Sequence, residues 1–200
     1  MESLPQRTLN LSHLHLEHVK YSVFKYLSSL EVLDLSYNKF NHLYSPTMEY
    51  LPKLKQIWLA GDRLKYRNKY LRISILDDLL TNRYYTKLLD IHLDYNRISS
   101  ISILEGSHWL TRCRVMSFKG NNLTKVPTYA LDNAFQRNRN IVQLYLGANP
   151  WRCNCLFAPA FQDFLIKYKS LIMDLSDIKC SYQQNDEYYM TPVSAVWKMM

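Results

Sequence analysis

One spacing, L-x-x-L-x-L-x-x-N-x-L, recurs along this 200-residue chain and restricts it to folds that stack a small unit many times over. It stands whole in Leu30-Glu-Val-Leu33-Asp-Leu35-Ser-Tyr-Asn38-Lys-Phe40. Worn copies place Ile57, Leu59 and Asp62, then Ile91, Leu93 and Asn96, then Met116, Phe118 and Asn121, then Leu144, Leu146 and Asn149 at the same offsets. A degraded first copy holds Leu9 and Leu11, with Leu14 where the Asn belongs. From Leu9 through Leu33, Ile57, Ile91 and Met116 to Leu144 the steps are 24, 24, 34, 25 and 28 residues.

Each position has a mechanical reason. The L-x-L core reads as a short strand with alternate side chains turned inward, so stacked copies make a parallel sheet. At the Asn the chain must turn, and a buried turn leaves backbone groups that need partners. An amide both donates and accepts, so Asn38, Asn96, Asn121 and Asn149 form a ladder, in which Asp62, able only to accept, is a weaker rung. Met48, Leu51, Val126, Ala130 and Phe135 on the return paths are expected to face the same core. No copy can cover its apolar face alone, so each needs its neighbours. A generic parallel α/β fold with chance L-x-L strands does not account for six copies.

Composition supports a folded chain without a membrane span. Hydrophobic residues are 48% and charged residues 21%, with no apolar run of membrane-spanning length and no signal peptide at Met1. Only 4 Gly argue against a hairpin-rich sandwich. The net charge of +8 comes from scattered Lys and Arg rather than a basic block, so no nucleic-acid partner is expected.

This pattern resembles the leucine-rich repeat family in its extracellular type, which implies an α/β solenoid with a parallel sheet on its concave face. Residues 6–148 are then about six repeats, with an insertion near 65–87 that reads as a longer return helix or a protruding contact. The outward strand residues would line the concave face. Among them Trp58, Tyr95, Tyr145, Tyr37, His92 and Arg114 are the candidate ligand contacts, the aromatics as exposed anchors. Leu89, Asp90, Val115, Ser36, Ser117, Ala60 and Gly147 are placed on that face by the same alternation.

After the last repeat, Asn149-Pro-Trp151-Arg-Cys153-Asn-Cys155 leads into Phe157, Phe161, Phe164, Leu165 and Tyr168, spaced as one amphipathic helix with Pro159 in its first turn. Such a helix would cover the open end of the repeat core. N-P-W-x-C-x-C followed by a distant Cys resembles the C-terminal flanking module of the family, so 149–200 is assigned to that cap. The module's four cysteines pair first with third and second with fourth. Carried across, Cys153 bonds Cys180, while the partner of Cys155 would fall beyond Met200; on that resemblance the cap is expected to be truncated and the sequence to be a fragment or an incomplete gene model. Cys113, in the leading Leu position of its repeat, is expected as a buried small hydrophobe. A zinc site at Cys153, Cys155 and Cys180 lacks the second C-x-x-C or the His pair it would need. Disulfides imply an oxidising compartment, and the sequons Asn10-Leu-Ser12 and Asn122-Leu-Thr124 are compatible with N-glycosylation there.

From Tyr145 through Cys155, Phe161–Tyr168, Asp177–Cys180 and Thr191–Val193 the cap looks like that of arthropod Toll receptors. The resemblance implies a single-pass receptor at the plasma membrane, whose ectodomain binds a dimeric cystine-knot cytokine of the Spätzle type and pairs with a second receptor chain. Its membrane helix and cytoplasmic TIR domain would lie downstream of these residues. A secreted or adhesion protein with the same cap and no TIR domain is the alternative. Catalysis is not expected: His13, His15 and His18 with Glu17 lack a nucleophile, a second carboxylate or a phosphate loop, and no cofactor is called for.

Overall fold

A computed structural model of the chain describes residues 6–39, 50–61, 89–101, 113–184 and 187–192, with backbone alone for Tyr21 and for 182–192. Six short strands, β1 (Thr8–Asn10), β2 (Val32–Asp34), β3 (Gln56–Trp58), β4 (Leu89–His92), β5 (Cys113–Ser117) and β6 (Gln143–Tyr145), pair in parallel in chain order. Their register sets Leu9, Leu33, Ile57, Ile91, Met116 and Leu144 in one row. Leu9 is partly buried, and the other five are at most 1% exposed. Leu35, Leu59, Leu93, Phe118 and Leu146 are buried two residues further along. At roughly 1.5–3 kcal/mol for each large apolar side chain removed from water, these two rows are the main force holding the repeats together.

The turn after each strand is built alike. Asn121 Nδ2 donates to Phe118 O at 3.0 Å in its own repeat and to Leu93 O at 2.8 Å in the one before, while its Oδ1 accepts from Ile98 N at 3.0 Å. Asn149 repeats the pattern on Leu146 O, Phe118 O and Leu123 N, and Asn38 on Leu35 O, Leu11 O and Leu16 N. Asn96 donates to Leu93 O and Leu59 O. Asp62, Met48 and the 65–87 insertion lie outside the described residues. Each amide therefore stitches two repeats, one of the few arrangements that satisfies buried backbone groups on both sides of a turn.

The return paths differ. After β1 comes a 3-10 turn, Tyr21–Tyr26, that buries Phe24; after β5 comes helix α1 (Thr128–Arg137), which buries Leu131 and Phe135. Leu51 and Val126 are buried as well, and Ala130 is half-buried.

The C-terminal end is closed by helix α2 (Ala158–Lys167) and a second sheet, in which β7 (Trp151–Arg152) pairs in parallel with β8 (Lys179–Gln184), and β8 in antiparallel fashion with β9 (Glu187–Pro192). Phe161, Phe164 and Leu165 of α2 are buried; Phe157 and Tyr168 flank it, and Tyr168 donates to Asp132 Oδ1 of α1 at 2.5 Å. Trp151 is fully buried and donates from its indole to Leu146 O at 3.2 Å. Cys153 and Cys180 are disulfide-bonded, 5.4 Å apart at Cα; Cys113 is buried and Cys155 is a free, exposed thiol. The fold is an α/β leucine-rich repeat solenoid with a disulfide near its C-terminus.

The outer edge of β6 is finished by a segment that takes the place of a seventh strand. Leu144 N donates to Leu171 O at 2.8 Å, and Met173 N donates to Leu144 O at 3.1 Å. The carboxylate of Asp174, 7% exposed, then accepts from Leu146 N at 2.9 Å and Gly147 N at 2.7 Å. A Cβ on Gly147 would stand 2.6 Å from Asp177 Cβ and 2.7 Å from Asp174 Oδ2, so only glycine lets the cap come this close. Asp174→Ala strands two buried N–H groups and should cost about 3 kcal/mol, read as a lower urea midpoint at unchanged slope.

Candidate binding face

The register that buries Leu33 and its row turns the residues on either side outward. One outer row is Asn10, Asp34, Trp58, His92, Ser117 and Tyr145; the other is Thr8, Val32, Gln56, Asp90, Val115 and Gln143. Alternation alone overstates how much of this face is open. Ser36, Ala60, Asp90, Val115 and Ser117 are 6% exposed or less and Gly147 is buried, because neighbouring side chains lie over these small or hydrogen-bonded groups. Leu89 is a correction of another kind. It stands two residues before Ile91, on the same inward side of β4, where it pairs with Cys113 and is wholly buried; the β4–β5 register then shifts by one residue at Leu89/Asp90. The shift leaves Arg114 as the extra residue of a bulge.

That bulge sends Arg114 across to Asp90. Its Nε donates to Asp90 Oδ1 at 2.8 Å, its Nη2 makes a second close contact with Oδ2, and Gln56 Nε2 donates to Oδ2 at 3.0 Å. These bonds hold the guanidinium pKa above its ordinary value. Burial, with the Asp90 charge nearby, pushes the Cys113 thiol up and out of the thiolate range.

Trp58 stands at the middle of the face. Its indole stacks on the His92 imidazole with centroids 3.6 Å apart and planes 2° from parallel. Burial lowers the His92 pKa below its usual value, against an upward pull from Asp94 and Asp90. Because the folded pKa is the lower one, this group adds stability above the unfolded value of 6.5 and loses it as pH falls through the folded value. The imidazole Cε1–H resonance should therefore titrate below pH 6.5, and replacing Trp58 by Ala should bring its midpoint back toward that value.

One further row had no clear signal in the sequence. The residue immediately before each Asn, Asp62 or Leu14 adopts a left-handed backbone: His13, Tyr37, Gly61, Tyr95, Gly120 and Ala148 have φ between 52° and 68°. At two of these places glycine makes room for the ring of the preceding repeat. A Cβ on Gly61 would lie 2.4 Å from Tyr37 Cδ1, and one on Gly120 would lie 2.4 Å from Tyr95 Cδ1. His13 in turn stacks on Tyr37, with centroids 4.4 Å apart. Tyr37 is 47% exposed and Tyr95 56%, whereas Trp58 and Tyr145 are half-buried.

The result is two shallow depressions separated by Trp58. The C-terminal one is lined by Trp58, His92, Asp90, Arg114, Val142 and Gln143. The other is lined chiefly by His13, Asp34, Tyr37, Trp58, Asp94 and Tyr95. Asn10 and Asn122 are both exposed, Asn10 in the same outer row as Trp58. No group of three His, Cys, Asp or Glu side chains among the described residues is placed to hold a metal, and no helix among them is long and apolar enough to cross a membrane.

Residues 7–64 match the family described as Leucine rich repeat. Protein singed wings 2 of Drosophila melanogaster is 37% identical over 121 residues, 60% of this chain and 24% of that protein. Protein halfway is similar too: 32% identical in Drosophila melanogaster and 31% in Drosophila pseudoobscura pseudoobscura, each over 107 residues, 54% of this chain and 18% of theirs. The chain thus spans less than a quarter of the length of these relatives. The six registered strands and the amide ladder carry one repeating architecture from Thr8 to Asn149, and residues 7–64 of it match the leucine-rich repeat family.

Proposed function

We propose that this segment is a non-catalytic protein-binding module whose concave strand face takes a protein ligand. The observation that carries the reading is the aromatic group of Tyr37, Trp58 and Tyr95, together with His13, around one depression of that face. Rigid rings with partly exposed surfaces are the side chains that anchor protein interfaces. Exposed aromatic surface of this kind costs solubility and adds nothing to the core.

In its finer form the proposal places the segment in the extracellular part of a Toll-type receptor. Its ligand would be a dimeric cystine-knot cytokine, and a second receptor chain would join the complex. Support for this form comes from the cap residues that resemble the Toll flank, Tyr145 through Cys155 and Phe161 through Cys180. The test is biolayer interferometry of the secreted protein against recombinant Spätzle-type dimers, with Trp58→Ala and Tyr95→Ala as variants. Trp58→Ala should weaken binding by about 2 kcal/mol, near thirtyfold, with an unchanged circular dichroism spectrum. If no such dimer binds, the cytokine reading fails; if a dimer binds equally to both variants, the concave face is not its site.

A further inference from the structure

Resting on the concave-face reading, we infer that the depression between Tyr37 and Tyr95 is built to take an arginine side chain of the protein partner. Two observations meet there. The lining is aromatic, with Tyr37, Trp58 and Tyr95 around it, and it contains two carboxylates, Asp34 and Asp94, but no Lys or Arg.

Those carboxylates lie on a chain of net charge +8. Among the described residues Glu31 pairs with Lys55, Asp90 with Arg114, Asp177 with Lys119 and Asp132 with Lys167. Asp34 and Asp94 have no such cation. Asp34 Oδ1 accepts the Ser36 N–H at 2.9 Å, and Asp94 accepts the Ser117 hydroxyl, with its other oxygen 3.9 Å from His92 Nδ1. Both line the depression and keep lone pairs beyond those these contacts use. In the neighbouring depression the same kind of acid, Asp90, is already neutralised by Arg114. A cation is therefore accepted on one side of Trp58 and not on the other.

Arginine suits this lining better than lysine. A guanidinium is planar and stacks on an aromatic ring, and its fork of N–H groups can reach two carboxylates at once; an ammonium is a compact, strongly hydrated point charge. Trp58 has one neighbour in its row at Asp34 and the other at His92. Because the imidazole covers the His92 side, the opposite indole face is left toward Asp34. An anion is excluded by the same two charges.

The experiment is an NMR titration of the full chain near pH 8, where histidine is neutral, with an acetylated and amidated Gly-Gly-Arg-Gly-Gly peptide. Its citrulline counterpart, of the same shape without the charge, is the control. The arginine peptide should shift the Trp58 indole N–H with a Kd of about millimolar, and citrulline should weaken it at least about tenfold. The Asp34→Asn/Asp94→Asn double variant keeps both hydrogen-bond acceptors, so its core resonances should stay in place while the Kd rises by a similar factor. Gln143→Ala, in the other depression, should leave it within about twofold. Equal binding of the citrulline peptide, or of the double variant, overturns the inference, as does absence of saturable binding. The two readings separate in the ligand assay. A protein ligand sensitive to Trp58→Ala but indifferent to the double variant leaves the face intact and removes the arginine; indifference to both removes the face as well.

Discussion

Leu35→Asp should not fold. Leu35 is wholly buried, and its backbone is fixed at both ends: its N–H donates to Trp58 O at 2.8 Å and its carbonyl accepts from Asn38 Nδ2 at 2.8 Å. The aspartate side chain would have to stand in the interior row among Leu33, Ile57 and Leu59, with no cation to meet it. An unpaired charge there costs about 5 kcal/mol or more, a large part of the roughly 5–15 kcal/mol that holds a domain together. Circular dichroism should show loss of the native spectrum and of a cooperative melt. Val142→Asp puts the same charge at a site 46% exposed and should stay within about 0.5 kcal/mol of the parent. A Leu35→Asp variant that melts cooperatively near the parent temperature would mean that the stacked interior is not what stabilises the array.

Asn121→Ala should cost nearly as much, for a different reason. Removing the amide frees no hydrophobic surface to speak of, yet it strands Ile98 N and takes one of two amide donors from each of Phe118 O and Leu93 O, which keep Asn149 and Asn96. Asn121 is 6% exposed, so water reaches these groups poorly. At about 1–3 kcal/mol for the stranded N–H and about 1 kcal/mol for each donor bond lost at the two carbonyls, the loss should be about 3–4 kcal/mol in urea unfolding. Asn121→Asp is the informative companion. A carboxylate still accepts from Ile98 N but cannot donate to the two carbonyls, and it sets a buried negative charge against their oxygens, so its cost should stay close to that of alanine. If Asn121→Asp were nearly neutral, donation across the repeat boundary would not be what holds the turn.

Repeat geometry was open to reading because it rests on local, periodic requirements. The offset between Leu33, Leu35 and Asn38 is fixed by strand alternation and by the need to satisfy a turn, and four later copies repeat it with little change. The left-handed row was less open. Tyr37, Tyr95 and Ala148 carry β-carbons that disfavour positive φ, so Gly61 and Gly120 were the clearest signal of it. What allows Tyr37 and Tyr95 that backbone is the space their rings find over the glycine of the next repeat, a fact about two turns at once.

The candidate face shows the same division. That Trp58 and His92 share a row follows from register counting. That they stack, that Asp90 is removed from the surface by Arg114, and that Asp34 and Asp94 are left without a cation do not. A one-residue shift between Leu89 and Asp90 makes Arg114 a bulge and redirects its guanidinium; alternation counted along β5 alone has no means of revealing it.

The sequence by itself determined the inward rows through Leu33 and Leu35, where each repeat turns and that a helix follows the last repeat, because those follow from the periods of strand, helix and repeat along one chain. The tertiary structure alone decided which outward residues are free to meet a partner. Exposure and charge pairing on a solenoid face are settled between neighbouring repeats, where side chains from separate turns compete for the same few ångströms and the same few hydrogen bonds.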